Sequence, residues 1–167
     1  MSVDKDVFRQ VAGSFASGVT VITTGRDGNY HGMTASSFCS LSLEPPLILI
    51  CFDLTAATLA AVDATGAFVV NILGSQQEQI SRQFASRGAH NLDTVDFELG
   101  QLGLPIIDGS LAHFECRLSR RHLEGDHVIL VGEVEAGGVD NGDDPLLYFR
   151  GSYRRIQGQR DAAPTLR

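Results

Sequence analysis

Val19-Thr20-Val21-Ile22-Thr23-Thr24, then Gly25-Arg26-Asp27-Gly28-Asn29-Tyr30, then His31-Gly32-Met33-Thr34-Ala35-Ser36-Ser37-Phe38: this stretch decides the fold class. Its first six residues are all β-branched, which favours a pleated strand over a helix. Asp27-Gly28 is a hairpin signal, because the turn that matches strand twist needs positive φ and Gly supplies it. Residues from His31 to Ser40 therefore return as a second, antiparallel strand. Where a packed strand would carry Val, Ile or Leu, this one carries Thr34, Ala35, Ser36 and Ser37. A buried hydroxyl needs a partner. The segment suits either an edge facing water or a flat, polar-edged ligand lying against the backbone. Alternation puts Thr34 and Ser36 on one face and Ala35 and Ser37 on the other.

Upstream, Val7, Val11 and Phe15 recur at helical spacing and predict a helix from Val3 to about Ala16, ended by Gly18. Downstream, Pro45-Pro46 interrupts the ladder. Leu47 to Phe52 then reads as a third strand, apolar enough to be buried on both faces. Thr55 or Thr58 caps a predicted helix over Ala56–Ala64, and Gly66 stops it. Phe68 to Leu73 is another buried strand. Ser75 is the expected cap of a helix from Gln76 to Ser86, with Glu78 completing a capping box. Arg87 to Gly103 is loop-like. Ser110–Leu118 and Val128–Ala136 are long strands joined through a polar turn over Arg120–Asp126. Asp140 to Pro145 is a solvated loop, and Tyr148 to Ile156 is the last strand. Six or seven strands with two or three short helices predict a mainly β fold with peripheral helices, closed as an antiparallel barrel. No repeat or linker divides the chain. One domain is expected over residues 1–156, with a flexible tail over 157–167.

Composition narrows the function. The 167 residues carry a formal net charge of −7, which argues against a nucleic-acid surface. No apolar run approaches the ~20 residues needed to span a bilayer, and the start of the chain lacks a signal-peptide pattern. A cytoplasmic setting is the default expectation. Cys39, Cys51 and Cys116 are far apart and read as buried free thiols. No His or Cys spacing suggests a metal, and no GxGxxG follows a strand, so a Rossmann unit is not indicated. Lys occurs only at position 5, and no Lys or Arg lies between Arg26 and Arg82.

Several residues invite chemistry. Cys51-Phe52-Asp53 leads into Thr55, Ala57 and Thr58, where a strand running into a helix start offers free amides and a positive dipole end to a phosphate; helix capping is the plainer fate of the two threonines. Asn71 follows two valines in a buried strand, and its amide either satisfies the backbone or bonds a ligand. Phe84 on its own reads as core. His127 opens a strand after Gly125-Asp126, where an imidazole can stack on or hydrogen-bond a ligand, or simply sit in a turn.

Taken in order, five further pieces join the segment around Thr34. They are Ser42-Leu43-Glu44-Pro45-Pro46-Leu47, Val69-Val70-Asn71-Ile72-Leu73, Pro105-Ile106-Ile107-Asp108-Gly109-Ser110, Gly125-Asp126-His127 with its following strand, and Tyr148-Phe149-Arg150-Gly151-Ser152-Tyr153. From about Phe8 to Ile156 the chain resembles the short flavin reductases, the reductase half of two-component flavin-dependent monooxygenases. The resemblance implies an FMN-binding split barrel, a homodimer with flavin sites at the interface, and an NAD(P)H:flavin oxidoreductase. Such an enzyme would move hydride from NADH, with NADPH as the other candidate, to FAD or FMN. Reduced flavin would then diffuse to a partner monooxygenase. The resemblance implies flavin contacts from Thr34, Ala35, Ser36 and Ser37, and from Cys51, Phe52, Asp53, Ala57 and Thr58. It adds Asn71, Phe84 and Tyr153, with His31 and Gly32 toward the nicotinamide side. His127 becomes the catalytic candidate, through the Gly-Asp-His triplet associated with nicotinamide binding.

The chain departs from that family where a basic residue usually follows the third strand: it has Asp53-Leu54-Thr55 instead. The flavin phosphate would then be held by neutral donors, by Arg82 or Arg87, or by Arg150 or Arg154 across a dimer interface. A flavin held without a charge-assisted contact would exchange as a substrate. The alternative function is a non-catalytic flavin carrier or sensor on the same barrel. A pyridoxamine-phosphate oxidase is disfavoured by the basic gap.

Overall fold

A computed structural model describes residues 2–86, 91–140, 142 and 144–156; the tail expected over 157–167, and Arg87, lie outside them. The opening hairpin forms as expected. β2 (Thr20–Arg26) pairs antiparallel with β3 (Asn29–Ala35), and Asp27 (φ 53°) and Gly28 (φ 85°) make the turn. The other elements are α1 (Lys5–Gly13), β1 (Ser17–Gly18), β4 (Cys39–Leu43), β5 (Pro46–Asp53), α2 (Ala57–Thr65), β6 (Ala67–Ile72) and α3 (Glu78–Ala85). They are followed by β7 (Phe97–Leu99), β8 (Pro105–Ile107), β9 (Ala112–Glu124), β10 (His127–Val139), β11 (Leu147–Phe149) and β12 (Ser152–Arg154). Seven strands form one antiparallel sheet in the order β3-β2-β6-β9-β10-β5-β4. The fold is thus mainly β with three helices among the described residues.

The strand expected over His31–Ser40 is two strands. β3 stops at Ala35 and β4 starts at Cys39, and these are opposite edges of the sheet. Only Ser36, Ser37 and Phe38 connect them, a reach of about 3.3–3.6 Å per residue, so the sheet curls to bring its edges together. The edges are not neighbours in the sheet ladder. The Ser37 hydroxyl spans the seam instead: Oγ accepts from the Cys51 amide at 3.0 Å and donates to the Cys51 carbonyl at 3.1 Å.

Inside the curl lie Ile22, Ile48, Ile50, Phe52, Phe68, Val70, Val128 and Leu130, with Leu59 and Val62 of α2 packed on them. Each such side chain stabilises by roughly 1.5–3 kcal/mol through its buried area. β5 buries only alternate residues, Ile48, Ile50 and Phe52, and leaves Leu47, Leu49 and Cys51 half-buried, so the two-sided burial expected of it is corrected. β6 is buried on both faces, because Leu104 and Ile106 cover Val69 from the other side.

Local chemistry moved several boundaries. Asp4 caps α1, its carboxylate accepting from Asp6 N at 2.8 Å; the helix spans Lys5–Gly13 and buries none of its residues. α2 starts after Ala56 with no side-chain cap. Thr55 donates to Asp53 at 2.7 Å, and Thr58 donates to the Gly32 carbonyl at 3.1 Å, so neither threonine is the cap. α3 starts at Glu78, not Gln76. Ser75 lies in the preceding turn, where Gly74 N donates to Gln77 Oε1 at 2.9 Å. The polar stretch expected as a turn over Arg120–Asp126 is mostly strand, and only Gly125-Asp126 turns between β9 and β10. The last strand is a small hairpin, β11–β12, around Arg150-Gly151. Of the cysteines only Cys116 is buried; Cys51 is half-buried and Cys39 exposed.

Candidate functional site

At one rim of the curled sheet three chain turns converge. β5 ends at Asp53, β10 begins directly opposite at His127, and Asp53 and His127 are register partners. Leu54 N donates to the Asp126 carbonyl at 3.1 Å and ties the β5–α2 turn to the β9–β10 turn. Asp53 accepts from Thr55 N at 2.8 Å as well as from its hydroxyl, which shapes the bend into α2. Ala57 is exposed in the first turn of that helix, whose amides meet no capping side chain. Uncapped amides of this kind suit an anion. Ser36 is exposed at the β3–β4 seam and Ser37 is hydrogen-bonded to Cys51 beside it.

His127 keeps a side chain that is 47% exposed, with Nδ1 2.7 Å from Asp126 Oδ1. The hydrogen bond from His127, and then its charge, hold the Asp126 carboxyl below the usual carboxylate range. That contact orients the ring and leaves its other nitrogen for a partner.

A second group of expected residues faces α3. The Thr34 hydroxyl donates to the Ser81 carbonyl at 2.7 Å. Ser81 Oγ in turn lies 2.8 Å from the Tyr153 hydroxyl. A polar chain therefore runs from β3 through α3 to β12. Gly32 is buried against Phe84: a Cβ at Gly32 would sit 2.6 Å from the Phe84 ring. His31 is half-buried, and its Nδ1 is buried with no hydrogen-bond partner. The Arg82 guanidinium lies 4.7 Å over the Tyr153 ring. Ser81 was not foreseen; the signal was a serine among Ile80 and Phe84 on the apolar face of α3.

Five expected residues, Asn71, Phe52, Phe84, Ala35 and Thr58, are buried. Asn71 is fully buried: Nδ2 donates to Val21 O and Thr23 Oγ1, each at 3.0 Å, and Oδ1 accepts from Ile107 N at 2.8 Å. Its amide knits β2, β6 and β8. Phe52 lies in the sheet interior and Phe84 is 1% exposed, so both back the site from beneath. Ala35 likewise points into the core, and Thr58 is 4% exposed with its hydroxyl engaged on Gly32. The surface of the site is left to Ser36, Asp53, Ala57 and His127, with Ser37 and Cys51 half-buried between them.

The family model for the flavin reductase like domain matches residues 12–157. The chain is 40% identical over 156 residues to the reductase subunit HsaB of a flavin-dependent monooxygenase from Rhodococcus jostii (strain RHA1), covering 93% of this chain and 80% of that one. It is 38% identical over 152 residues to the FMN reductase (NADH) SmoA of Agrobacterium fabrum, covering 91% and 86%. Among solved structures, the NADH:FAD oxidoreductase SgcE6 of Streptomyces globisporus C-1027, in complex with NAD and FAD fragments, superposes with a TM-score of 0.88. Its identity is 39%, over 96% of this chain and 99% of that one.

Proposed function

The chain belongs to the flavin reductase-like family, and from that premise we propose that it is an NADH:flavin oxidoreductase that supplies reduced flavin to a partner monooxygenase. His127 and the start of α2 would hold NADH and flavin together at the rim, and the bound pair would supply hydride transfer from C4 of the nicotinamide to N5 of the flavin, with a proton from solvent. The protein's part is to stack and orient the two rings. The observation that carries the reading is the rim itself. His127, oriented by Asp126, stands opposite Asp53 and beside the small-residue seam at Ser36 and Ser37. His127 is the nicotinamide contact, and the amides at the start of α2 receive the flavin phosphate. Asn71, Phe52 and Phe84 hold the scaffold.

The flavin behaves as an exchanging substrate. No Lys or Arg occurs between Arg26 and Arg82, and the Thr55 and Thr58 hydroxyls are committed to Asp53 and Gly32. A phosphate on neutral donors forgoes a charge-assisted contact of about 1.5–3 kcal/mol. Relatives named for FMN and for FAD leave both flavins as candidates.

The sheet closes as a split barrel of the FMN-binding kind, supported by the three-residue crossing between β3 and β4 and by the Ser37 bridge to β5. The protein is a homodimer, supported by the exposed apolar residues Val7, Phe8 and Val11 of α1 and Phe15 just after it. The family match over residues 12–157 supports one domain, and reliance on NADH supports a cytoplasmic setting.

Anaerobic mixing of the protein with NADH and excess FAD or FMN, followed by bleaching of the flavin, tests the activity. Bleaching that requires protein supports the reading; tight flavin binding without bleaching leaves a carrier or sensor. Equilibrium dialysis tests exchange: flavin retained through extensive dialysis contradicts it.

A further inference from the structure

A hollow of about 320 Å³ lies at the end of the sheet away from His127. It is lined by Glu98 of β7, by Asp108 and Ser110 of the turn after β8, and by His113 of β9. Gly138 of β10 and Asp140 just past that strand complete it. His127 opens β10 and Val139 closes it, so the hollow is roughly 40 Å of strand from the rim, at about 3.3 Å per residue.

Glycine makes room for one wall. Gly138 and His113 are cross-strand partners, and a Cβ at Gly138 would sit 2.7 Å from His113 Cε1, so the imidazole rests against the bare backbone. Asp140 N donates to the Leu111 carbonyl at 2.6 Å and ties the end of β10 to the start of β9. Asp140 Oδ1 accepts from Gly142 N at 3.0 Å.

The charge here is one-sided. Neither stretch that forms the hollow, 88–116 or 122–149, contains a Lys or an Arg. Among the described residues Glu98, Asp108 and Asp140 are in no ion pair. Carboxylates alone would mark only a solvated surface. Ser110 is an independent sign. It is 9% exposed, and its hydroxyl is one of two buried side-chain polar atoms without a hydrogen-bond partner among the described residues, the other being His31 Nδ1. Buried polar groups are ordinarily paired, so such an exception asks for a partner. A serine hydroxyl turns among staggered χ1 positions and can meet a donor that enters the hollow.

Three carboxylates and a hydroxyl supply acceptors; what the hollow lacks is donors. A metal ion does not fit, because among the described residues no three His, Cys, Asp or Glu side chains are gathered to hold one. A guanidinium does fit. It presents five N–H donors in one plane, keeps its charge at any working pH and is weakly hydrated.

We propose that this hollow binds a guanidinium group, with the Glu98, Asp108 and Asp140 carboxylates and Ser110 Oγ as acceptors and the His113 ring as a wall. The site is separate from the rim and does not depend on flavin reduction. An arginine side chain of a second protein and a free arginine derivative carry the same group.

Amide chemical shifts of the full chain, titrated with N-acetylarginine amide, test the site. Saturable shifts are expected at Ser110, His113 and Asp140, with His127 unmoved. N-acetylcitrulline amide, which has the shape without the charge, should leave all of them in place. Exposed ion pairs are weak, so Glu98→Gln with Asp108→Asn together should weaken binding by roughly fivefold or more. Ser110→Ala, which removes the unpartnered acceptor, should weaken it by about twofold or more. A peptide with one arginine between glycines identifies the source. Binding at least about tenfold tighter than the amide assigns the site to a protein side chain; equal binding assigns it to a free cation. No saturable shift in wild type, equal response to the citrulline probe, or undiminished binding to either variant overturns the proposal, whether or not the chain reduces flavin.

Discussion

His127 stands half-exposed at the head of its strand with one nitrogen on Asp126, a geometry that orients an imidazole without burying it. If His127 meets the nicotinamide and not the flavin, as proposed, His127→Ala lowers kcat/KM for NADH by roughly tenfold or more while flavin affinity stays within about twofold. Equal losses for both reactants would contradict that division. The same pair fixes a pH dependence. The Asp126 carboxyl is held below its ordinary value chiefly by the His127 hydrogen bond. A depressed carboxylate favours the folded state above the unfolded pKa, near 3.9, and the benefit fades as pH falls through the lower folded value. His127→Ala should raise the Asp126 midpoint in a carbon-detected NMR titration; an unmoved midpoint would sink the pairing. Burial, and then the charge of Glu115, push the Cys116 thiol up to about 12. At pH 8 iodoacetamide should therefore label exposed Cys39 and spare Cys116 in the native protein, read by mass spectrometry. Asn71 shows the limit of reading single residues from sequence. A buried amide announces that it needs partners, but Val21, Thr23 and Ile107 are brought to it only by strand pairing. Asn71→Ala strands several of those groups and should cost about 3 kcal/mol.

Elements were legible where packing sets them and illegible where it does not. The β2–β3 hairpin, β5 and β6 announce themselves through β-branched runs and turn glycines. The far half of β9 does not, because Arg120, Arg121, His122 and Leu123 leave the core and face solvent. Backbone pairing with β10 keeps them in a strand, and Arg121 reaches Asp63 of α2 at 2.8 Å. The break at Ser36–Phe38 was hidden for another reason: a strand pattern does not say that the chain changes sheet edge within three residues. Caps failed similarly, with Thr55, Thr58 and Ser75 all good capping types whose hydrogen bonds or backbone positions serve other parts of the fold. The contact of β3 with α3 is testable at this scale. A Cβ at Gly32 would meet Phe84 Cε1 at 2.6 Å, and Phe84 is 1% exposed, leaving the ring no way out. Gly32→Ala should cost about 1–3 kcal/mol by overpacking. Adding Phe84→Leu should recover part of that in denaturant unfolding; strictly additive losses would rule out the clash.

Across the whole molecule, the sheet curls until its edges are three residues apart, and this puts Ser36, Ser37, Asp53, the start of α2 and His127 on one rim. The ordered motifs of the sequence carry that rim's family, while its geometry depends on long-range pairing that no local pattern records. The helical spacing of Val7 and Val11 does not say what covers that face of α1, and the structure leaves both exposed. Val11 is 70% exposed, so Val11→Lys leaves the protomer intact. Light scattering after gel filtration should show a dimer for wild type and a monomer for the variant; a monomeric wild type would contradict the homodimer. The central claim, that the rim joins a reduced nicotinamide to an exchanging flavin, is tested most directly by following NADH consumption in air with and without added FAD or FMN. The account predicts rapid consumption that depends on added flavin and falls in His127→Ala. Tight flavin binding with no NADH loss would contradict it.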